Sequence, residues 1–99
     1  MIKPTVGRVV WYVACEGDQH GSDPLPKSDQ VCAALIAYVH SDTMVNLAVI
    51  DCNGKTHSRR SVALVHEGAK EGPYCTWMPF QKGQAAKTEA LEKQVATNV

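Results

Sequence analysis

An Asn-Gly dipeptide near the middle of the chain constrains the fold more than any other feature of the sequence. Asn53 and Gly54 separate a largely apolar run, residues 44–51, from the strand-like residues 55–60. Asn-Gly between two such runs is typical of a type I′ turn, in which both central residues take positive φ. The sequence therefore predicts a β-hairpin here, and residues 61–66 continue its second strand directly or after a bend.

Three further segments are rich in β-branched and aromatic residues and predict strands, namely residues 6–14, 30–40 and 74–77. The alanines of residues 30–40 would tolerate a helix, but the Val, Ile and Tyr content favours a strand. Residues 84–97 contain many Ala, Glu and Lys and predict a helix. We expect a mainly β fold, either a small antiparallel SH3-like barrel or a curled sheet of about five strands, with a C-terminal helix.

The 99 residues fit one domain. We assign residues 1–83 to the small β-barrel and residues 84–99 to a C-terminal helix or tail of the same domain. Residues 15–29 contain several Gly, Pro, Asp and Ser residues and predict a loop. Loops of this length in a small domain are often functional or mobile.

The second and third predicted strands are apolar on both faces. In residues 44–50 the odd-numbered positions are Val, Leu and Val, and the even-numbered ones include Met, Ala and Ile beside a single Asn. An antiparallel sheet with one face in water should instead alternate apolar and polar residues. Something must therefore cover the second face, either the C-terminal helix or another subunit, and we predict a homo-oligomer.

Composition excludes several classes of protein. Ten basic and ten acidic residues balance, which argues against general nucleic-acid binding. No apolar stretch is long enough to predict a membrane span, and no apolar run follows Met1–Pro4 to predict a secretory signal. We therefore expect a cytoplasmic protein. The four cysteines are Cys15, Cys32, Cys52 and Cys75, and in that compartment they should be reduced. No two of them have the close C-x-x-C spacing that zinc sites usually contain.

The sequence contains no catalytic motif that we would assign. The histidines form no metal-binding pattern, although His40 and His66 end predicted strands and could face a mouth of the barrel. Cys32 and Cys75 lie among apolar or aromatic neighbours and are expected to be buried thiols. We predict no catalytic residue, no metal site and no cofactor.

A basic cluster and scattered aromatic residues indicate a site for an anionic ligand. Arg59 and Arg60 could hold phosphate oxygens through their guanidinium groups, although a solvated strand is the alternative. Arg8 lies in an apolar strand and would need an anionic partner, and Asn46 could fix a subunit interface or contact a ligand. Aromatic rings could stack a base, although Trp77 could instead plug the core. The predicted ligand-binding residues are Arg8, Tyr12, Tyr38, His40, Asn46, Arg59, Arg60 and Trp77.

Three stretches carry a resemblance to known sequences: VGRVVWY at residues 6–12, AYVHSDTMVNLAVIDCNG at 37–54 and WMPFQ at 77–81. Together they resemble a group of small uncharacterised proteins encoded by tailed bacteriophages and prophages. The resemblance covers most of the chain except residues 15–29 and the last few residues. It implies an accessory protein that acts in the cytoplasm of a bacterial host. Small phage proteins commonly act as counter-defence factors, some of them as oligomers that sequester nucleotide signals.

Three functions are consistent with these features. The first is a non-enzymatic homo-oligomeric binding protein that sequesters a host nucleotide-derived signal. The second is a protein–protein adaptor or an inhibitor of a host protein, which would use residues 15–29 and the C-terminal helix as contacts. The third is a small nucleotide-cleaving enzyme that uses His40 or His66.

Overall fold

Five strands form a closed barrel in the computed structural model, which describes residues 2–84. The strands are β1 (Val9–Val13), β2 (Cys32–Ser41), β3 (Met44–Ile50), β4 (Thr56–Val65) and β5 (Tyr74–Thr76). Consecutive strands from β1 to β4 pair antiparallel, and β5 returns to pair antiparallel with β1. The expected small, mainly β barrel is confirmed.

One strand pair departs from the antiparallel expectation. β4 and β5 run parallel, and only Leu64 with Cys75 and Val65 with Thr76 are paired. A parallel neighbour requires the chain to return between the two strands. Residues 66–73 are enough for that return because β5 has only three residues. The first half of β4 consequently has no β5 residue beside it, and another part of the chain fills that gap.

The hairpin between β3 and β4 is confirmed, but its turn is not of type I′. Gly54 has φ +86°, whereas Asn53 does not have positive φ. The Asp51 carbonyl accepts the Gly54 N–H at 2.9 Å, and the Asp51 N–H donates to the Lys55 carbonyl at 2.8 Å. These bonds enclose a three-residue loop with glycine in the left-handed position. The Asp51 carboxylate selects it by accepting the N–H groups of Asn53 and Lys55.

The barrel core is built from the inward-facing positions of every strand. Along β3 the buried residues are Val45, Leu47 and Val49, so this strand alternates in the structure even though its sequence is apolar on both faces. The core cluster of the described chain consists of the buried residues Val10, Tyr12, Leu25, Ala34, Ile36, Val45, Leu47, Val49, Val62, Leu64, Cys75 and Trp77. Two of these, Leu25 and Trp77, lie outside the strands, and each closes one end of the barrel.

We call the two ends the loop end and the tryptophan end. At the loop end, residues 14–31 cross the barrel between β1 and β2, beginning with a 3-10 helix at Glu16–Gln19. Leu25 of this crossing segment is 3 % exposed and packs into the core. At the opposite end Trp77, which follows β5, is 2 % exposed. Both plugs remove apolar surface from water, which a five-stranded barrel cannot do with its strands alone.

A helix begins just beyond the tryptophan end. Residues 79–84 are helical, and Pro79 occupies the first position, where the missing N–H costs no helical hydrogen bond. The Gln81 amide donates to the Val9 carbonyl at 2.9 Å and so joins this turn to β1. The helix predicted at residues 84–97 falls outside the described residues from position 85 onward.

The outer face of the barrel carries exposed apolar side chains. Val9 and Leu35 are paired across β1 and β2 and are 37 % and 40 % exposed, and Met44 at the start of β3 is 40 % exposed. No part of the chain between residues 2 and 84 covers them. Within that range no helix combines the length and apolar character needed to cross a membrane.

Candidate ligand-binding site

Two β-bulges meet at one residue of β3. Between β2 and β3 the register passes from Ile36↔Leu47 to Tyr38↔Asn46, so β2 has one extra residue there. Between β3 and β4 it passes from Leu47↔Arg59 to Val45↔Val62, so two residues of β4 face Asn46 alone. Bulges redirect side chains and are frequent next to functional sites. Asn46 therefore lies where both neighbouring strands are irregular.

The side chain of Asn46 bridges those two strands. Its Oδ1 accepts the backbone N–H of Ser61 at 2.8 Å and lies 2.9 Å from Nε2 of His40. The Ser61 N–H can only donate, which fixes the amide orientation with the oxygen toward β4. The two N–H groups of the Asn46 amide have no partner within residues 2–84, so they are available to a ligand.

Ser61 holds a strained backbone conformation at this point. Its φ of +54° is the one positive value among the non-glycine residues of the described chain. For a residue with a Cβ atom this conformation costs about 1–3 kcal/mol. The Asn46 oxygen satisfies the N–H that the bulge removes from the β3–β4 ladder. Strain of this kind is concentrated at functional sites, which makes the bulge a candidate for function rather than a random irregularity.

His40 and Tyr38 complete the β2 side of this cluster. Because Asn46 Oδ1 is an acceptor, a neutral His40 carries its hydrogen on Nε2 and leaves Nδ1 as an acceptor. The Tyr38 ring meets the His40 ring edge to face, with centroids 4.9 Å apart. Tyr38 is 56 % exposed, so part of its ring surface is open to a second aromatic group.

The two neighbouring arginines of β4 have different environments. Arg60 is exposed, forms no ion pair within the described residues, and belongs to the bulge opposite Asn46. Arg59 instead points toward the loop end, where its Nε donates to Asp18 at 3.1 Å and its NH2 group to the Asp23 carbonyl at 2.8 Å. Carboxylates of the same chain already occupy Arg59, and Arg60 is the member of this pair that could meet an external anion.

We name Tyr38, His40, Asn46 and Arg60 the bulge cluster.

Tyr12 lies inside the barrel rather than on its surface. Its hydroxyl donates to the Asp18 carboxylate, with 2.9 Å to each oxygen. Burial, followed by the hydrogen bond to Asp18 and its negative charge, raises the pKa of Tyr12. Asp18 also accepts the Cys15 N–H and the Arg59 guanidinium. The crossing segment therefore fills the gap beside the first half of β4 with a satisfied polar network.

His57 is the centre of a second polar contact at the loop end. Its Nδ1 lies 2.6 Å from Asp23 Oδ1 and its Nε2 lies 2.6 Å from Asp51 Oδ2. The hydrogen bonds that His57 donates to Asp51 and then to Asp23 raise the pKa of His57 above its ordinary value. The hydrogen bond with His57 lowers the pKa of both carboxyl groups. This contact is a charged bridge between β3, β4 and the crossing segment.

The last two predicted residues meet at the tryptophan end. Trp77 is buried, and its Nε1–H donates to His66 Nδ1 at 3.2 Å, while His66 Nε2 donates to the Asp42 carbonyl at 2.7 Å. The Arg8 guanidinium lies 5.8 Å from the centroid of the Trp77 ring. Arg8 is exposed and forms no ion pair within residues 2–84, so the described chain does not supply the anionic partner predicted for it.

The cysteines and acidic residues give no further site within residues 2–84. No group of three metal-ligating side chains lies close enough there to hold an ion. All four cysteines are free thiols in the structure. Burial raises the pKa of the Cys75 thiol to about 12, so this group stays protonated and unreactive.

The structure thus brings together half of the predicted set in the bulge cluster. Tyr12 and Arg59 belong to the loop end, and Arg8 and Trp77 to the tryptophan end. Sequence reasoning missed the bridge that His57 forms with Asp23 and Asp51. His57 is two positions before Arg59, so both side chains lie on the same side of β4. This spacing is the one local signal that could have placed His57 beside the predicted Arg59. Nothing local connects it with Asp23, which is 34 positions away.

No known protein family, curated protein or solved structure matches this chain.

Proposed function

We propose that this protein is a non-enzymatic binding protein that holds a nucleotide-derived anion at the bulge cluster and self-associates through its apolar outer face. The observation that carries the proposal is the convergence of an open aromatic ring, an amide with two free N–H groups and an exposed arginine at two adjacent bulges.

Each member of the bulge cluster supplies a different part of nucleotide recognition. A base could stack on the exposed ring surface of Tyr38, because such stacking is favourable for every base. The Asn46 N–H groups and His40 Nδ1 offer donors and an acceptor for the edge of that base. Arg60 could hold a phosphate through two parallel hydrogen bonds. These contacts bind a ligand and provide no nucleophile.

Self-association would cover the apolar surface next to the cluster. Val9, Leu35 and Met44 are exposed on the outside of the barrel, as Tyr38 is. A formal net charge of zero means that two copies do not repel each other strongly. Subunit junctions are favoured places for ligand sites, so the bulge cluster would lie at or beside such a junction.

The biological setting of the proposal follows from the resemblance to phage-encoded proteins. A protein with this site would sequester a host nucleotide signal in the bacterial cytoplasm and so act as a counter-defence factor. Sequestration requires tight binding without turnover, which agrees with a cluster that contains donors and a stacking surface but no activated nucleophile.

Native mass spectrometry of the purified protein, followed by calorimetric titration with cyclic and linear nucleotides, tests the proposal. We expect an oligomer and saturable binding of at least one nucleotide. Tyr38→Ala and Arg60→Ala should each abolish or strongly weaken binding. Lys27→Ala removes an exposed charge at the loop end and should bind like the wild type. A monomer that binds none of the nucleotides, or a Tyr38→Ala variant that binds normally, would contradict the proposal.

The same mixtures also separate binding from cleavage. Chromatography after prolonged incubation should return each nucleotide unchanged. Conversion of a nucleotide that is lost in His40→Ala or His66→Ala would establish the small enzyme instead.

The exposed pair of Val9 and Leu35 also favours a second function, that of an adaptor or inhibitor that binds a host protein. Apolar patches rimmed by polar residues mark protein contact sites. Leu35→Glu should then abolish capture of one stoichiometric host protein. The crossing segment is a weaker contact candidate than the sequence indicated, because Leu25 and Asp23 anchor it to the barrel.

A further inference from the structure

The crossing segment, residues 14–31, is attached to the barrel by contacts of different kinds. Leu25 is buried in the core, and Asp18 joins Tyr12 to Arg59. Asp23 contacts the barrel through its carbonyl, which accepts from Arg59, and through its carboxylate, which faces His57. Of these attachments, the contact with His57 is the one that a single imidazole proton can make or break.

The geometry at His57 requires both imidazole nitrogens to carry hydrogen. Each nitrogen lies 2.6 Å from a carboxylate oxygen, one of Asp23 and one of Asp51. The imidazolium form has two N–H groups and donates to both carboxylates, whereas the neutral form has a single N–H. A neutral His57 therefore directs a nitrogen lone pair at one of the two anions, and that contact becomes repulsive.

The two carboxylates differ in their ability to move away. The other oxygen of Asp51 accepts two backbone N–H groups of its own turn, and the Asp51 side chain is 5 % exposed. The Asp23 side chain is 44 % exposed and lies on a segment without regular strand pairing. Water can replace His57 at Asp23 but cannot readily do so at Asp51, so the Asp23 contact is the one that opens.

We propose that His57 is a proton-dependent latch that closes the crossing segment onto the barrel through Asp23 and releases it when the imidazole becomes neutral. The charged groups in contact with the imidazole are Asp51, directly after β3, and Asp23 in the crossing segment. Two cations lie near the Asp23 carboxylate, namely Lys55, directly before β4, and Arg59 on β4. The two carboxylates are in direct contact with His57 and favour its charged form more than the nearby cations oppose it. The latch is therefore closed while the imidazole is protonated and opens as rising pH removes the proton. The latch is independent of ligand binding at the bulge cluster, which lies on the outer face.

Opening of the latch would change the surface of the loop end. Two clefts of about 430 and 500 Å³ flank the crossing segment, and they share Gln19 and residues 25–27 as walls. Displacement of these residues alters both clefts and exposes the Leu25 side chain, which now fills the barrel mouth. The protonation state of one histidine thus controls access to the barrel interior.

Nuclear magnetic resonance of the full chain tests the latch with two readouts. The imidazole nitrogen signals of His57 report its protonation, and a dissolved paramagnetic probe reports the solvent exposure of methyl groups at every pH. As His57 loses its proton, paramagnetic relaxation of the Leu25 methyl signals should rise severalfold. The Leu64 methyl groups are buried in the barrel wall and should show no change, which distinguishes local opening from unfolding.

Two variants complete the test. Asp23→Asn removes the anion that the latch holds, so its Leu25 methyl groups should already be exposed at the pH at which wild-type His57 is protonated, and should not respond to pH. Asp29→Asn makes the same change in the same segment at an exposed side chain and should titrate like the wild type. Constant Leu25 exposure while His57 titrates in the wild type would overturn the proposal, as would simultaneous exposure of Leu64. The wild-type titration decides the matter even if Asp23→Asn does not fold.

Discussion

Each end of the barrel is closed by a buried apolar side chain and has a histidine beside it, but the two histidines differ in charge. At the loop end His57 lies between two carboxylates and is held as a cation. At the tryptophan end His66 accepts from the Trp77 N–H and donates to the Asp42 carbonyl, a combination that only a neutral imidazole can make. Identical side chains thus serve as a charged clamp and as a neutral hydrogen-bond relay, because their partners differ.

The difference shows how a small barrel can close its two ends independently. The loop end joins β3 and β4 to a long connection, and ionic contacts can hold such a connection across a gap between strands. The tryptophan end follows directly from β5, so the chain itself delivers the plug and only the indole N–H needs a partner. Stability at the loop end should therefore depend on pH and on charge, and stability at the tryptophan end on packing.

The largest expected effects come from removal of the plugs. Trp77→Ala should lower the free energy of unfolding by about 3–5 kcal/mol and Leu25→Ala by about 2–5 kcal/mol, because both create cavities. Urea unfolding of each variant measures these losses. Because the two ends close independently, Leu25→Ala should also loosen the crossing segment locally, which amide hydrogen exchange of residues 20–29 would detect. Equal loosening of this segment in Trp77→Ala would show that the two ends are not independent.

Removal of each histidine tests the comparison directly. His57→Ala removes the imidazolium between Asp23 and Asp51 and leaves the two carboxylates facing each other, so it should destabilise more than His66→Ala. His66→Ala loses hydrogen bonds at a partly exposed site, and each of them contributes about 1 kcal/mol to the free energy of unfolding. Urea unfolding at neutral pH compares the two variants. A greater loss for His66→Ala would show that the neutral relay, rather than the charged bridge, dominates closure.

The pH dependence of stability should reflect the loop end. His57 has a raised pKa, so its contribution is complete below the ordinary histidine value of 6.5 and is lost as pH rises through the higher folded value. Asp23 and Asp51 have lowered pKa values, so their contribution is complete above the ordinary value of 3.8 and is lost as pH falls through the lower folded values.

The bridge therefore stabilises most between those two ordinary values. Urea unfolding of the wild type from below pH 3.8 to well above pH 6.5, compared with His57→Gln, measures the contribution. The difference in unfolding free energy should shrink on both the acidic and the alkaline side. A difference that is the same at every pH would mean that His57 acts through packing alone.

The smallest effects are expected at the bulge cluster, which belongs to neither end. Asn46→Ala leaves the Ser61 N–H to water and should cost about 1 kcal/mol. Ser61→Gly relieves the positive φ and should stabilise the protein by a few tenths of a kcal/mol to about 1 kcal/mol. Hydrogen exchange at both ends should be unchanged in these variants. Altered exchange at residues 20–29 would show that the bulges are coupled to the loop end.

The strands were predictable because their signals are local. Residues 30–40 and 44–51 contain the β-branched and aromatic residues of β2 and β3, and the hairpin after Asp51 followed from Asn-Gly. The type of turn was not predictable from that dipeptide, because the Asp51 carboxylate binds the turn N–H groups and selects the wider loop. The bend at Ser61 was expected as an alternative, but its partner Asn46 was not.

The four residues of the bulge cluster were among the predicted ligand-binding residues. Their separation from the other four predicted residues was not predictable. Arg59 and Arg60 are adjacent in sequence, yet one faces Asp18 and the other lies on the outer face. The extra residue in β4 determines which residues face outward after the bend. No local sequence pattern predicts this bulge. Tyr38 comes level with Asn46 only because β2 contains a bulge of its own.

The sequence by itself determined the β-rich class, the order of the strands and the central hairpin, since each depends on residues close together in the chain. The tertiary structure alone decided that β4 and β5 pair in parallel, that Leu25 and Trp77 plug opposite ends, and that Asp23 reaches His57 across 34 positions. Contacts between distant segments depend on strand register and on the space left after the core has packed. Neither quantity is encoded in a short stretch of residues.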